Sequence, residues 1–292
     1  MKTSDDIEPL YLTTREVADL LRVKERKVYD LAATDEIPHR RITGKLLFPA
    51  AEIRAWIEGS GSIATPERPA VVAGSHDPLL DWAIRESGCG LATLFNGSSD
   101  GLTCYSDNRA ALSGLHIPED DGWNIQTVQS LDVSNSVLIG WAKRQRGLLV
   151  SDAAKADIHS VEDLKDKRVV LRQPGAGAAA LFARLLAASG LTESDFIAAS
   201  GFAHTEGEAA ATVASGDADA ALGVRAMALQ YKLGFVPLEE EYFDLLIDRK
   251  SFFSNPVQQL LTFAKTPGFT HKAEAMGGYD LTGLGNVRWV SP

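Results

Sequence analysis

Only two cysteines, Cys89 and Cys104, occur in 292 residues. That is too few for a disulfide framework, and their spacing suits no zinc ligand set, so both read as buried thiols. No apolar run reaches the roughly 18 residues that a membrane-spanning helix needs. The acidic opening Met1–Glu8 also lacks the basic and apolar regions of a secretion signal. The chain is therefore expected in the cytoplasm, with no membrane partner. Catalytic signatures are missing as well: no nucleophile with a base and an orienting group at recognisable spacing, no His-Glu-x-x-His, and no phosphate loop closing on Gly-Lys-Ser/Thr. Neither an enzyme nor a cofactor or metal is expected. No long heptad helix is present to supply a coiled-coil dimer. The apolar content of 45% suffices for two or three folded domains.

What is present is a dense run of local signals between Tyr11 and Glu58. Thr13 and Glu16 form a capping-box pattern, each side chain able to satisfy a free backbone donor at a helix start. Val17, Ala18, Leu20 and Leu21 follow at helical spacing. The step Arg22-Val23-Lys24 breaks the period before Val28 and Leu31 resume it, which predicts helix, tight turn, helix. The second helix carries Lys24, Arg26, Lys27 and Tyr29 on its outer side, as suits an element lying in a major groove. After Ile37-Pro38, residues 39–48 read as two extended arms around Gly44, a basic wing hairpin bearing Arg40, Arg41 and Lys45. Pro49 is expected to open a last helix whose Ile53, Trp56 and Ile57 pack back on the core.

Charge separates this segment from the rest. Between Arg22 and Arg54 there are eight Lys/Arg against five Asp/Glu, a local net of +3, whereas the residues beyond 60 hold nineteen basic and twenty-eight acidic side chains. Double-stranded DNA is thus expected to meet only the N-terminal part. These residues resemble the winged helix-turn-helix domains of the excisionase and MerR type. The likeness rests on Leu-Thr-Thr-Arg-Glu-Val-Ala-Asp-Leu-Leu (12–21), Val-Tyr (28–29), Ile-Pro (37–38) and Ala-Trp-Ile (55–57). The resemblance implies DNA contacts by Thr14, Arg15, Lys24, Arg26, Lys27, Tyr29, Arg40, Arg41 and Lys45. Most such readers use two-fold sites, so a homo-oligomer, a dimer or higher, is expected.

Gly59-Ser60-Gly61-Ser62 with Pro66 and Pro69 reads as a linker over 59–69, between a DNA-binding domain at 1–58 and a second domain at 70–292. In the second domain, strands are expected at Ala70–Ser75, Leu91–Phe95, Leu112–Ile117, Ser136–Ile139, Arg168–Leu171 and Asp219–Leu222. Helical patterns alternate with them, which predicts α/β layers with mainly parallel sheets. Three strands end in polar, turn-forming loops that run into helices: Gly74-Ser75-His76-Asp77, Asn96-Gly97-Ser98-Ser99, and Arg172-Gln173-Pro174-Gly175-Ala176-Gly177. Loops at the carboxyl ends of strands, with helix N-termini behind them, suit a small anion. His76 and His116 fall on the rim of this site, and Arg225 follows the last strand; Asp77 reads as a helix cap.

The order of these elements resembles the periplasmic-binding-protein-like domain of cytoplasmic regulators, related to type II receptors for molybdate and tungstate. The resembling residues include Gly-Ser-His-Asp-Pro (74–78), Asn-Gly-Ser (96–98), Gly114-Leu115-His116, Arg144-Gln145-Arg146-Gly147-Leu148, Gly216-Asp217-Ala218-Asp219-Ala220, Gly223-Val224-Arg225 and Glu241-Tyr242-Phe243-Asp244-Leu245. The resemblance implies two lobes, about 70–150 with 234–292 and about 151–233, a hinge near Ser151 and Leu233, and a ligand cleft between them. Candidate ligand contacts are Ser75, His76, Asn96, Gly97, Ser98, Ser99, His116, Arg172, Gly175, Ala176, Gly177 and Arg225. Relatives commonly carry Gly-Ser-Gly-Thr-Arg where this chain has Gly175-Ala176-Gly177-Ala178-Ala179. The loss of two hydroxyls and a guanidinium favours a larger or partly apolar solute, with Trp82, Trp123 and Trp141 as candidate pocket walls. The expected fold is thus α/β, a winged helix-turn-helix followed by a two-lobed binding-protein-like domain. The expected function is a one-component transcriptional regulator sensing a small anionic effector, an oxyanion such as molybdate or tungstate, or an organic anion. An enzyme on the same scaffold, or a ligand-free architectural DNA-binding protein, is the alternative.

Overall fold

A computed structural model describes residues 10–60, 67–131 and 133–292. The opening Met1–Glu8 and most of the expected linker lie outside those residues. The chain divides into two compact units between Glu67 and Arg68.

The first unit runs β1 (Tyr11–Leu12), α1 (Thr14–Leu21), α2 (Glu25–Ala33), β2 (Arg40–Ile42), β3 (Lys45–Pro49) and α3 (Ala50–Ser60). Its sheet has the order β1-β3-β2. The capping box forms as expected: Thr13 N donates to Glu16 Oε2 at 2.7 Å, and Glu16 N donates to Thr13 Oγ1 at 3.3 Å. Val17, Ala18, Val28, Ala32, Ile37, Phe48 and Ile53 make the core. Each fully buried Val, Ile or Phe adds about 1.5–3 kcal/mol. Leu20 departs from the expected stripe and is exposed, because its position lies past the edge of the face that Val17 and Ala18 bury. Thr43 and Gly44 both take positive φ, 50° and 79°, the conformation a two-residue hairpin turn requires. Pro49 ends β3 rather than opening α3, which begins at Ala50.

The second unit starts with β4 (Val71–Gly74), α4 (Pro78–Ser87), β5 (Ala92–Phe95), α5 (Ser98–Ser106), β6 (Leu112–Leu115), β7 (Pro118–Glu119), β8 (Gly122–Trp123), α6 (Ile125–Gln129) and β9 (Ser136–Val150). It continues with β10 (Arg168–Arg172), α7 (Gly177–Ala188), β11 (Ile197–Ala203), α8 (Glu206–Ala214), β12 (Ala220–Val224), α9 (Arg225–Tyr231) and β13 (Gly234–Asp248). It closes with α10 (Arg249–Phe252), α11 (Asn255–Phe263), α12 (Pro267–Met276), β14 (Tyr279–Asp280) and β15 (Val287–Val290). One curled sheet follows the order β11-β10-β12-β9-β13-β6-β4-β5. Its flanks are parallel as expected, but its centre is antiparallel: β9 and β13, each 15 residues, pair along their whole lengths. Only the first four residues of β9 read as a strand in the sequence, because burial on both sides removes the period-2 signal there and in the second half of β13; the exposed edge strand β11 shows no apolar alternation either.

Each long strand serves both halves of the unit. The end of β13 pairs with β6 at Asp244–Ile247, and the end of β9 pairs with β12 at Arg146–Val150. The chain therefore passes between halves in mid-strand, near Lys143–Arg146 and Glu239–Tyr242. The positions expected for the crossing, Ser151 and Leu233, lie several residues away at the strand ends. Bulges between Pro237 and Glu239 and between Phe243 and Asp244 bracket this crossing, and such irregularities bend and twist a strand. Separate cores lie on either side, around Leu79, Trp141 and Phe269 in one half and around Leu164, Leu181 and Phe196 in the other.

Candidate ligand cleft and DNA-contacting face

The three loops do converge. Ser75 Oγ lies 2.7 Å from Ser98 Oγ, and His116 N donates to Ser98 Oγ at 3.4 Å, which joins the ends of β4 and β6 to the start of α5. From the other half, the Gly175 carbonyl accepts from Ser99 N at 3.2 Å. A Cβ on Gly177 would lie 2.3 Å from the His116 carbonyl oxygen, so the start of α7 presses on His116 at a distance only glycine permits. Ser75, Gly97, Ser98, His116, Arg172, Ala176 and Gly177 are buried along this seam, while Asn96, Ser99 and Gly175 stay exposed at its mouth.

Arg225 does not join them. It is exposed at the start of α9 and donates to Gln145 Oε1 at 2.8 Å. None of the three tryptophans supplies a wall to the seam. Trp82 and Trp141 belong to the first core, against Phe269, and Trp123 to the second, beneath the Arg184 guanidinium. Large flat side chains are drawn to the positions of greatest burial, and here those are the two cores.

At the floor of the seam lies an ion network that the reading of single motifs had missed. Arg144 donates to Asp77 Oδ2 at 2.9 Å and to Glu241 Oε1. Arg146 donates to Glu241 Oε1 at 2.7 Å and to Glu206 at 2.9 and 3.1 Å. Arg172 donates to Glu206 Oε1 at 2.7 Å, and His116 Nδ1 lies 3.0 Å from Glu241 Oε2. Tyr279 donates to Asp77 at 2.9 Å, while Asp77 also caps α4 as expected, accepting from Leu80 N at 2.7 Å. Arg144, Arg146, Asp77, Glu206 and Glu241 are all 0% exposed in their side chains. Alternation along β9 puts Arg144 and Arg146 on one face, and the register opposes Arg144 to Glu241. A period-2 pair of arginines facing a glutamate-rich strand was the available signal, but it needed the register to be read.

Burial alone would raise the Glu206 and Glu241 carboxyls. The facing arginines outweigh it, and both are held well below the usual carboxylate range. For His116 burial dominates over the attraction of Glu241, so its imidazolium is disfavoured, and burial likewise lowers His76. His76 Nδ1 and Gln173 Oε1, one from each half, are buried without a protein hydrogen-bond partner.

On the first unit, a depression of about 480 Å³ is lined by Thr13, Thr14, Arg15, Glu25, Tyr29, Arg41, Gly44, Lys45, Leu46 and Leu47. The starts of α1 and α2 and the wing thus bring together Thr14, Arg15, Tyr29, Arg41 and Lys45. Lys24, Arg26 and Lys27 are exposed on and beside α2 without lining it. Arg40 points elsewhere: strand alternation turns it from Arg41, and Glu52 on α3 holds it at 2.7 Å.

These features define a class: a helix-turn-helix protein carrying an α/β domain of the two-halved, solute-binding type. The chain belongs to the PBP superfamily, whose domain it matches over residues 81–265, more than half its length. Residues 11–61 match a helix-turn-helix domain family. The uncharacterized protein YvgK of Bacillus subtilis (strain 168) is 25% identical over 306 residues, covering 94% of this chain and 96% of that one. An uncharacterized protein in the ferredoxin 2Fe-2S gene 5' region of Clostridium pasteurianum is 35% identical over 68 residues, covering 23% of this chain and 60% of that one. Among solved structures, PhnD1 from Prochlorococcus marinus (MIT 9301), in complex with methylphosphonate, aligns with 14% identity over 71% of this chain and 89% of that one, with a TM-score of 0.49. Among the described residues, no helix is long and apolar enough to cross a membrane.

Proposed function

We propose that this chain is a one-component, cytoplasmic transcriptional regulator that binds double-stranded DNA through its first unit and a small anionic solute in the seam of its second. The observation that carries the solute reading is the meeting of Ser75, Ser98, Ser99 and His116 with Gly175–Gly177 across two halves joined by bulged strands, with Arg172 behind them on Glu206. Hydroxyls, helix N-termini and guanidiniums in one seam favour an anion. Closure of the halves around the solute is the working motion, and a homodimer presents two winged helices to a two-fold site. Regulation requires the solute to prefer one geometry of that dimer, since equal affinity for both shifts nothing.

A thermal-unfolding screen against molybdate, tungstate, sulfate, phosphate, sulfonates and carboxylates tests the reading, followed by DNA-binding titrations with and without any solute that stabilises. Bound solute raises stability by RT ln(1 + [L]/Kd). A stabilising solute that also changes DNA affinity supports regulation; one that stabilises without changing it leaves only solute binding. A ligand-free architectural protein is the second reading, favoured by one observation: every charged group at the floor of the seam already has a partner from the chain. No response to any solute, together with intact DNA binding, selects it.

A further inference from the structure

The floor of the seam balances its own charge. Three guanidiniums, Arg144, Arg146 and Arg172, meet three carboxylates, Asp77, Glu206 and Glu241. An anion added to that set without displacing a carboxylate would put uncompensated negative charge in a site that water does not reach. One of the three carboxylates must therefore give way.

The three are not equivalent. Asp77 caps α4 and accepts from Tyr279 as well as Arg144. Glu241 sits in a central strand and takes Arg144, Arg146 and His116 together. Among the described residues, the Glu206 carboxylate hydrogen-bonds only to the two arginines, Arg146 Nη1 and Arg172 Nη1. It is the first residue of α8, yet the cap of that helix is Thr205, whose hydroxyl accepts from Glu208 N at 3.0 Å. Glu206 can leave without unmaking the helix.

The arginines would stay in place when it left. Arg172 Nε donates to the Ala203 carbonyl at 3.0 Å and its Nη2 to the His204 carbonyl at 3.1 Å. Arg146 Nη2 remains on Glu241 at 2.7 Å. The vacated slot offers one Nη1 from each of two fixed guanidiniums, and Arg146 Nε and His76 Nδ1 are among the buried polar atoms that have no partner.

We propose that Glu206 is a tethered stand-in for the effector's own carboxylate, and that a small carboxylate-bearing solute binds by displacing it from the Arg146–Arg172 clamp. The proposal rests on reading the seam as the effector site, and commits it to a carboxylate because a carboxylate is the group the clamp already fits. Planar, forked donors match that geometry. The loop that would add hydroxyls for a tetrahedral oxyanion has Ala176 and Ala178 instead.

The test uses the full chain with Glu206→Ala, and Glu206→Ser, which leaves the slot equally open, should the alanine variant fail to fold. Thermal unfolding is followed by tryptophan fluorescence in sodium formate, acetate, sulfate, molybdate or chloride at matched ionic strength. Either variant unfolds at a lower temperature than the wild type. Formate or acetate raises its Tm by about 3–6 °C at ten times Kd, with a smaller shift in the wild type, whose slot is occupied. Rescue by sulfate or molybdate at least equal to that by the carboxylates overturns the carboxylate assignment. Absence of rescue by any anion in a folded variant overturns the clamp itself. The wild-type solute screen reads separately: a folded variant without rescue beside a wild type that binds some other solute leaves the seam as a site and removes Glu206 from it.

Discussion

Replacing Glu241 with Gln removes one negative charge from a site with 0% side-chain exposure and leaves three guanidiniums facing two carboxylates, Asp77 and Glu206. Two guanidiniums and an imidazole address that carboxylate: Arg144 Nη2, Arg146 Nη2 at 2.7 Å, and His116 Nδ1 at 3.0 Å. The glutamine carbonyl can still accept from one arginine, but its amide is a donor and faces a second donor. Leaving a buried ion pair with one partner missing typically costs about 3–5 kcal/mol. In a unit of this size that corresponds to a Tm lower by roughly 6–20 °C. Four of the five tryptophans, Trp82, Trp123, Trp141 and Trp289, lie in the second unit, so fluorescence-monitored unfolding reports chiefly on it. The exposed pair Asp107–Arg109 supplies the control, because Asp107→Asn breaks an ion pair that solvent screens and should leave Tm unchanged. The pH dependence has a definite sign. The Glu241 carboxyl is held below its ordinary range when folded, so its contribution is present above about pH 4.5 and is lost as pH falls further. The gap between wild type and variant therefore narrows below that pH. A Glu241→Gln protein melting within about 2 °C of the wild type at pH 7, where a 1 kcal/mol loss already shifts a unit of this size by that much, would refute the claim that this buried carboxylate contributes several kcal/mol.

Arg41→Ala and Lys45→Ala are each expected to weaken DNA binding in fluorescence-anisotropy titrations and to flatten the slope of log K against log salt by roughly 0.9. Arg40→Ala, whose guanidinium is held by Glu52, should leave that slope nearly unchanged. His116→Gln should flatten the stability curve between pH 5 and 7. The wild-type ring has a folded pKa below its ordinary value, so the unfolded chain takes up protons first and stability falls as pH drops through 6.5; a slope that survives the substitution would point to His76 instead. Gly177→Val places side-chain atoms where a Cβ already meets the His116 carbonyl at 2.3 Å. The halves should part, seen as a larger radius of gyration in small-angle scattering, and an unchanged radius would show that α7 can shift locally.

Local signals determined the first unit. The Thr13–Glu16 box, the break at Arg22–Lys24 and the Thr43-Gly44 turn each act through neighbours a few residues apart, so a linear sequence displays them whole. Turn chemistry likewise located the three loops at the ends of β4, β5 and β10, because glycine and hydroxyl residues mark strand ends wherever the strands go. Tertiary structure alone decided what those loops meet. Asp77, Arg144 with Arg146, Glu206 and Glu241 come from four separate stretches of chain, and their pairing depends on the register of β9 against β13 and on where α8 lands. It also decided that Arg40 and Arg225 are engaged elsewhere and that the tryptophans fill cores. A charge shows in the sequence, but its partner can lie far along the chain, 97 residues away for Arg144 and Glu241 and 125 for His116 and Glu241, and only the packed sheet brings such pairs within hydrogen-bonding distance.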